Sequence, residues 1–366
     1  MVSMILLTAA AGASGAIMRV PRSAATMAST RMVRTSVAMA RNRSGGAQLC
    51  ANEAPANDHA LSAISADGSI SAKAVVTTEL VAEAARLQGL GGLATAALGR
   101  ALTCSLLVAE GLKDGETFQV KFDGDGPLRG VLAVANGMLE SRGYVGNPAV
   151  TLPPNAKGKI DVGGGVGRGT LQVVRTKMIP GVETPAQYSS ITDIRSGEIP
   201  EDINYYLLES EQRQGALAAG VFVKGDDTAA PLPSGVMPVQ VVASGGWYVQ
   251  LLPFAAEEAI GQLEANLAEM QSSSPSSMVR QGLGARGMLE GLLKGLDPQF
   301  TEERGIPSLA DSCPCSEERL LRTLRLLPRP ELDDIVEKNE VVEAKCEFCA
   351  TLYRMTPDEI RKEIYP

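Results

Sequence analysis

The chain has 366 residues, of which 45% are hydrophobic and 21% charged, a composition typical of a folded globular protein. Residues 1–52 contain six Arg and no Asp or Glu, which leaves 28 basic and 42 acidic residues in the remainder, a net charge of −14. So acidic a body argues against a nucleic-acid or anionic-membrane partner, and no later stretch reaches the ~18 apolar residues of a membrane span. The only histidine, His59, makes a catalytic triad or an H-E-x-x-H zinc site untenable.

Residues 1–52 are also rich in Ser, Ala and Thr, and this acid-free, Arg-rich composition is typical of an organelle transit peptide. We therefore expect import into the plastid stroma, with the mitochondrial matrix as the alternative and a disordered tail as the remaining interpretation. Cys50 leaves with this leader or lies at its edge, and it is assigned no role.

Residues 60–256 predict one domain that contains many antiparallel strands and a few helices. In chain order the patterns first indicate a strand at 73–77, a helix that begins at 78 and a second helix over 92–110. Strands follow at 117–123, in a segment that ends at 135, and at 139–145, 170–176 and 188–196. A helix over 200–212 then precedes strands at 217–223, 236–242 and 247–252. His59 lies ahead of this regular pattern. The fold class is therefore α+β: an N-terminal antiparallel-sheet domain with helices, followed by a helical linker and a small C-terminal zinc-binding domain.

The linker covers residues 257–311. Residues 257–270 predict an amphipathic helix, residues 272–277 a flexible Ser-rich joint, and residues 279–296 a second helix with a continuous apolar stripe. Four glycines lie inside that second helix, at a cost of roughly 3–4 kcal/mol relative to Ala, so we expect it to depend on a docking partner and to be stabilised by Ala at all four positions. The glycines are Gly282, Gly284, Gly287 and Gly291. The predicted client-binding residues lie on the stripe: Met288, Leu289, Leu292 and Leu293.

Residues 312–366 contain four of the six cysteines, spaced C-x-C-x30-C-x-x-C. The spacing of Cys313, Cys315, Cys346 and Cys349 outlines a tetrahedral Zn(II) site. A segment of about 54 residues has too little core to be stable alone, so bound metal would supply folding energy. Three interpretations stay open at this point: a purely structural zinc site, disulfides of the secreted type, and a zinc site that oxidation switches.

Other signals have simpler explanations. The run Gly163–Gly169 lacks the spacing and the Gly-Lys-Ser/Thr ending of a phosphate loop and predicts a hairpin loop. Cys104 and Trp247 are expected in the core. The C-terminal segment is acidic overall, so its arginine stripe is expected to be a solvated face: Arg319, Arg322, Arg325 and Arg329.

The cysteine motif and several body motifs together resemble the redox-regulated holdase family called the 33 kDa chaperonin. The motifs are Cys313-Pro-Cys315-Ser-x-Glu-Arg, Cys346-Glu-Phe-Cys349 with Tyr353, Ala97-Leu98-Gly99-Arg100, Gly124-Asp125-Gly126-Pro127-Leu128, residues 143–148 and Tyr205-Tyr206-Leu207-Leu208-x-Ser210-Glu211-Gln212. They occur in the family's order over residues 70–366.

The resemblance implies an ATP-independent chaperone, not an enzyme. In the reduced state one Zn(2+) per chain would be held by the four thiolates, and the protein would be an inactive monomer. Oxidation would form the disulfides Cys313–Cys315 and Cys346–Cys349, release zinc, unfold the zinc domain and linker, and produce a homodimer that holds unfolded client proteins. This chain differs in its leader and in its Gly- and Ser-rich linker, which puts its activation threshold in doubt.

Two other classes of protein also contain paired cysteines of this kind. A zinc-containing thiol oxidoreductase would use Cys346 and Cys349 catalytically, and would then need a low-pKa cysteine at the start of a helix. Here the C-x-x-C follows a predicted strand and no helix begins behind it. A zinc-ribbon nucleic-acid module would need a basic surface, which the charge count denies.

Overall fold

The structure is a computed structural model that describes residues 4–7, 58–156, 158–179, 185–226, 230–232, 235–253, 255–339 and 341–364. The predicted transit peptide, apart from residues 4–7, and Cys50 lie outside these ranges.

The strands of the described chain form three antiparallel sheets. They are β1 (Met4–Leu7), β2 (His59–Ile64), β3 (Ile70–Val76), β4 (Thr117–Gly124), β5 (Val131–Asn136), β6 (Ser141–Val145), β7 (Gly169–Lys177), β8 (Ala186–Asp193), β9 (Gly215–Gly225), β10 (Val239–Leu251), β11 (Gln299–Phe300), β12 (Arg304–Gly305), β13 (Val342–Cys346) and β14 (Leu352–Met355). A six-stranded sheet has the order β11-β2-β3-β10-β9, with β12 also paired to β2. A five-stranded sheet has the order β6-β5-β4-β7-β8, and a three-stranded sheet the order β1-β13-β14. The predicted α+β class with antiparallel sheets is confirmed.

The helices of the described chain connect and cover these sheets. They are α1 (Thr78–Gln88), α2 (Gly92–Ala109), α3 (Val162–Val166), α4 (Ile199–Ser210), α5 (Glu257–Met270), α6 (Pro275–Arg280), α7 (Gly284–Leu292), α8 (Leu309–Ser312), α9 (Glu317–Leu324), α10 (Arg329–Glu337) and α11 (Pro357–Ile364).

Helix α2 is the centre of the main core. It packs against β9 and β10 of the six-stranded sheet and against β5 and β6 of the five-stranded sheet, and 16 of its 18 residues are buried. By length and composition α2 could cross a membrane, contrary to the expectation that no stretch qualifies. Its near-complete burial in the fold accounts for that composition, because a helix that packs on all sides has no polar face. Cys104 and Trp247 are buried, as predicted.

The first strand of the six-stranded sheet was missed by the sequence pattern. β2 begins at His59 and pairs with β3, whereas we expected His59 to precede the regular elements. The preceding Asp58 caps α1, since its carboxylate accepts from the N–H groups of Glu79 (3.0 Å) and Leu80 (2.7 Å). β2 consists mainly of small residues with mixed polarity, so its alternation is weak even though most of the strand is buried.

Two predicted strands at 236–242 and 247–252 are one long strand, β10. The intervening Gly245 is close-packed: a Cβ there would lie 2.9 Å from the Cγ2 of Val279 and 2.7 Å from the carbonyl oxygen of Val75. This glycine therefore lets the linker approach the sheet and does not mark a turn.

The glycine run at residues 163–169 does not form the predicted hairpin loop. Residues Val162–Val166 form the short helix α3 and not a hairpin loop. Asp161 caps it by accepting a hydrogen bond from the N–H of Gly164 (3.0 Å), a local bond that favours helix over an open loop. The strand that follows, β7, agrees with the prediction.

The linker forms three helices, of which α6 and α7 pack on the six-stranded sheet and α5 packs against α7. α5 agrees with the predicted amphipathic helix, but the Ser-rich stretch is not an open joint, because Ser274 caps α6 by accepting from the N–H of Ser277 (3.2 Å). Whether residues 60–256, 257–311 and 312–366 behave as separate domains stays a prediction.

The prediction of one helix over residues 279–296 is wrong. The chain breaks between α6 and α7 at Gly282 (φ +78°) and Gly284 (φ +60°), which lie in the left-handed region that glycine tolerates. A Cβ on Gly287 would lie 2.8 Å from the Cβ of Leu283, and one on Gly291 3.3 Å from the Sδ of Met270. Alanine at all four positions would therefore strain this segment, and the expected stabilisation does not follow.

Candidate metal centre

Two loops present the four cysteines to one another. Cys313 and Cys315 lie between α8 and α9, where Ser308 caps the first helix and Ser316 the second through its bond with the N–H of Arg319 (3.3 Å). The Ser316 cap fixes the start of α9 directly after Cys315, so the C-x-C loop has a defined exit.

The second loop is the tight turn between β13 and β14. The N–H of Cys346 donates to the carbonyl of Thr351 and the N–H of Ala350 donates to the carbonyl of Cys346, both at 2.9 Å. Ala350 has φ +59°, a left-handed conformation that is uncommon for a residue with a side chain. The turn thus folds Cys349 back beside Cys346 at the end of the strand.

The sulfur positions fit a tetrahedral metal ion. All four Sγ atoms lie within 4.8 Å of one another, with 3.8 Å between Cys313 and Cys346 and 3.3 Å between Cys315 and Cys349. Four sulfurs at about 2.3 Å from Zn(II) in a tetrahedron would be about 3.8 Å apart. The donor set, four thiolates and no oxygen, suits Zn(II) and gives a closed site with no position for substrate. The four predicted ligands are therefore brought together.

Without metal, the four thiols share their protons unequally. The Cys313 thiol donates to the Cys346 sulfur, which lowers the pKa of Cys346 to about 5, and the N–H groups of Cys349 and Phe348 act in the same direction. The same hydrogen bond, together with burial, raises the pKa of Cys313. Burial raises the pKa of Cys315. The hydrogen bonds thus favour the thiolate form at Cys346, and a divalent cation would compete with the protons for all four sulfurs.

Two hydroxyl groups contact the sulfurs from outside the cluster. The Tyr353 hydroxyl donates to the Sγ of Cys315 at 3.1 Å, and the hydroxyl of Thr351 lies 3.2 Å from the Sγ of Cys349. Such bonds orient ligands and tune a metal centre. Burial raises the pKa of Tyr353, so this hydroxyl keeps its proton for the sulfur.

The cysteine centre docks directly on the five-stranded sheet, a contact that the sequence motifs did not predict. The ring of Phe348, inside the C-x-x-C, meets Tyr144 of β6 edge-on at 5.9 Å between centroids, and the Arg142 guanidinium lies 5.6 Å from its centroid. The side-chain amide of Gln88 donates to the carbonyls of both Gly143 and Phe348 at 2.8 Å. An aromatic residue between two metal ligands was the only local signal of this contact.

The predicted client-binding residues belong to the linker and not to the cysteine loops. All four are fully buried in a cluster between α7 and the six-stranded sheet: Met288, Leu289, Leu292 and Leu293.

Fold and site together define a class: an α+β protein with antiparallel sheets and a C-terminal cluster of four cysteines that could bind a metal ion. A family model described as Hsp33 protein matches residues 58–356. The chain is 40% identical over 310 residues to a protein named 33 kDa chaperonin from Acaryochloris marina, covering 84% of this chain and 96% of that one. It is 41% identical over 304 residues to the 33 kDa chaperonin of Symbiobacterium thermophilum, with 83% and 96% covered.

A crystal structure of the 33 kDa chaperonin from Thermotoga maritima superposes with a TM-score of 0.70 at 31% identity, and covers 84% of this chain and 98% of that chain. The chain therefore belongs to the Hsp33 family of heat-shock chaperones. The resemblance inferred from the motifs is confirmed.

Proposed function

We propose that the protein is an ATP-independent holdase, not an enzyme, that is inactive while reduced and zinc-bound and is activated by oxidation of its four cysteines. The observation that carries this proposal is the packing of two close cysteine pairs into one tetrahedral cluster. A metal held only by thiolates is released when those thiolates are oxidised, because disulfide sulfur is a poor ligand.

Loss of zinc would unfold the C-terminal segment, because its own core is small. Eight buried hydrophobic residues from three short helices and two strands make up that core. A core of this size supplies little stability by itself, so metal binding and folding are coupled. Zinc at one per chain in the reduced state is the cofactor in this proposal.

The disulfides proposed are Cys313–Cys315 and Cys346–Cys349. In the zinc-bound geometry every pair of sulfurs is close, so distance alone does not select the partners. Once zinc leaves and the segment opens, only cysteines that are near in the chain remain near in space, which favours the neighbouring pairs.

Opening of the C-terminal segment would then release the linker. The apolar side of α7 is covered in the reduced protein, and its exposure would provide a surface for unfolded clients. An exposed apolar patch of this kind also favours self-association, so we propose a reduced monomer and an oxidised homodimer. The leader composition supports delivery to the plastid stroma, with the mitochondrial matrix as the alternative.

A client-aggregation assay tests the proposal. Reduced zinc-loaded protein, the same protein after peroxide treatment, and a variant with Ser at all four zinc cysteines would be added to a thermally unfolding client. Suppression of light scattering by the oxidised wild type, but not by the reduced one, is expected. Equal suppression by reduced, zinc-loaded protein would overturn redox control. Catalytic reduction of insulin would favour a thiol oxidoreductase instead.

A further inference from the structure

A cavity of 270 Å³ lies between the cysteine centre and the five-stranded sheet. Its floor is the sheet face opposite α2, since Phe118, Val120 and Phe122 of β4 point into the core while Thr117 and Gln119 line the cavity. Cys313 and Cys315 form part of its wall. A small molecule in this cavity would therefore be in contact with the C-x-C pair.

Two arginines converge on the same cavity, Arg142 from β6 and Arg319 from α9. Both are half-buried, and neither forms an ion pair with a carboxylate in the described ranges. The next arginine of the stripe, Arg322, is instead exposed and paired with Glu318. The solvated-face interpretation thus fits Arg322, but Arg319 lines the same cavity as Cys313 and Cys315.

The two guanidinium groups would balance the charge of the loaded centre. Zn(II) with four thiolates carries a net charge of −2, and this charge would repel an approaching anion. Arg142 and Arg319 together supply +2 on the side where the cavity opens to Cys313 and Cys315. Guanidinium groups also offer several N–H donors in a fixed plane, a geometry that suits oxyanions.

We propose that this cavity is an entry site for small oxidant anions, in which Arg142 and Arg319 bind the oxyanion and place its peroxide oxygen against Cys313 or Cys315. The inference rests on the proposed redox function and adds a substrate class to it: anionic oxidants would react faster than their neutral counterparts of similar intrinsic reactivity. Arg142 and Arg319 are positioning residues in this step.

Peroxymonosulfate would oxidise the C-x-C pair in two steps. One thiolate sulfur attacks the terminal peroxide oxygen of HSO5⁻, the O–O bond breaks, and sulfate leaves, which gives a sulfenic acid. The neighbouring thiolate attacks that sulfur, and its hydroxyl leaves as water after taking up one proton. Overall, two thiolates, HSO5⁻ and one proton give a disulfide, sulfate and water, a two-electron oxidation of the C-x-C pair.

The test compares zinc-release rates from the reduced full-length protein treated with HSO5⁻ or with neutral H2O2. The readout is the ratio of the two rates, because any change in thiolate reactivity affects both oxidants. We expect Arg142→Gln and Arg319→Gln each to lower the ratio by about tenfold, the lower range of electrostatic steering. Arg142→Lys should retain most of the ratio, and the exposed control Arg322→Gln should leave it unchanged.

A measurement on the unaltered protein complements the variants in case Arg142→Gln fails to fold. Adding sulfate at constant ionic strength should slow the reaction with HSO5⁻ and leave that with H2O2 unchanged, because sulfate is an unreactive oxyanion that competes for the two guanidinium groups. An unchanged ratio in both Gln variants, or a ratio that sulfate does not alter, would overturn the entry site. Wild-type protein that neither releases zinc nor holds client after H2O2 would contradict the proposed function instead.

Discussion

Helix α2 buries 16 of its 18 residues between two sheets, whereas the largest core cluster described in the segment from Cys313 onward has eight buried hydrophobic residues, from three short helices and two strands. The first region can be stable by hydrophobic burial alone, since each fully buried aliphatic side chain contributes about 1.5–3 kcal/mol. In the proposed function, the second region depends on a metal ion that joins its four sulfurs. Oxidation would then act on the fold of this region and leave the α2 core intact.

The linker depends on docking. The apolar side chains of α7 are fully buried against the six-stranded sheet, but α6 and α7 are short and separated by Gly282 and Gly284. Helices of six and nine residues have little stability of their own, so they persist only while docked.

The largest contrast between the two regions is expected on metal removal. Chelation of zinc, or Ser at all four zinc cysteines, should unfold residues 313–364 at a cost on the order of 10 kcal/mol, while α2 stays folded. Metal analysis and hydrogen exchange on the reduced protein check this. The matched control is Cys104→Ala, which removes a buried thiol from α2 and should keep one zinc per chain. Zinc retained by the four-Ser variant would contradict the ligand assignment.

A core substitution should give the reverse result. Leu102→Ala removes a fully buried side chain of α2 and should lower the free energy of unfolding of the core by about 2–5 kcal/mol, with zinc content unchanged. Leu326→Ala, at a residue that is 85% exposed, should stay within about 0.5 kcal/mol of the wild type. Denaturant unfolding curves measure both, and equal effects would mean that the core is not packed as described.

Two glycine substitutions in the linker should act in opposite directions. Gly284→Ala forces a Cβ into the left-handed region and should destabilise the docked linker by about 1–2 kcal/mol, which lowers the heat or oxidant needed for activation. Gly261→Ala, in α5 with no atom within 4 Å of the added Cβ, should stabilise its helix by up to about 1 kcal/mol. Hydrogen exchange over residues 257–270 reports the effect of Gly261→Ala, and exchange over residues 275–292 reports that of Gly284→Ala. The same sign for the two would refute the backbone argument.

The smallest effect is expected at the contact between the regions. Gln88→Ala removes the two bonds to Gly143 and Phe348 and should weaken docking of the cysteine centre by about 1 kcal/mol, which corresponds to severalfold faster zinc release. Gln240→Ala, at an exposed glutamine of β10, is the control. Identical zinc-release rates for the two variants would show that docking does not restrain the metal.

Local patterns in the sequence account for part of the candidate site. The cysteine spacing predicted four candidate ligands, and the fold brings their sulfurs together. Ser316 and Thr356 each cap the helix that follows, and the Thr356 hydroxyl accepts from the N–H of Glu359 while the Glu359 carboxylate accepts in return from the N–H of Thr356. These interactions join residues only a few positions apart, so composition and spacing suffice to find them.

Long-range contacts were beyond this kind of prediction. Gln88 and Phe348 are 260 residues apart in the chain, and nothing local marks the glutamine as a partner of the metal turn. The break in the linker helix was missed for a different reason: the apolar spacing continues through Gly282 and Gly284, and only the backbone dihedrals reveal the interruption.

Hydrogen exchange on the zinc-loaded, reduced protein before and after peroxide treatment tests the central claim most directly, with zinc release followed in the same sample. The account predicts that protection is lost over residues 313–364 and over 275–292 as zinc leaves, while protection over residues 92–109 is unchanged. Retained protection in the cysteine segment after complete zinc release, or loss of protection in α2 at the same rate, would contradict it.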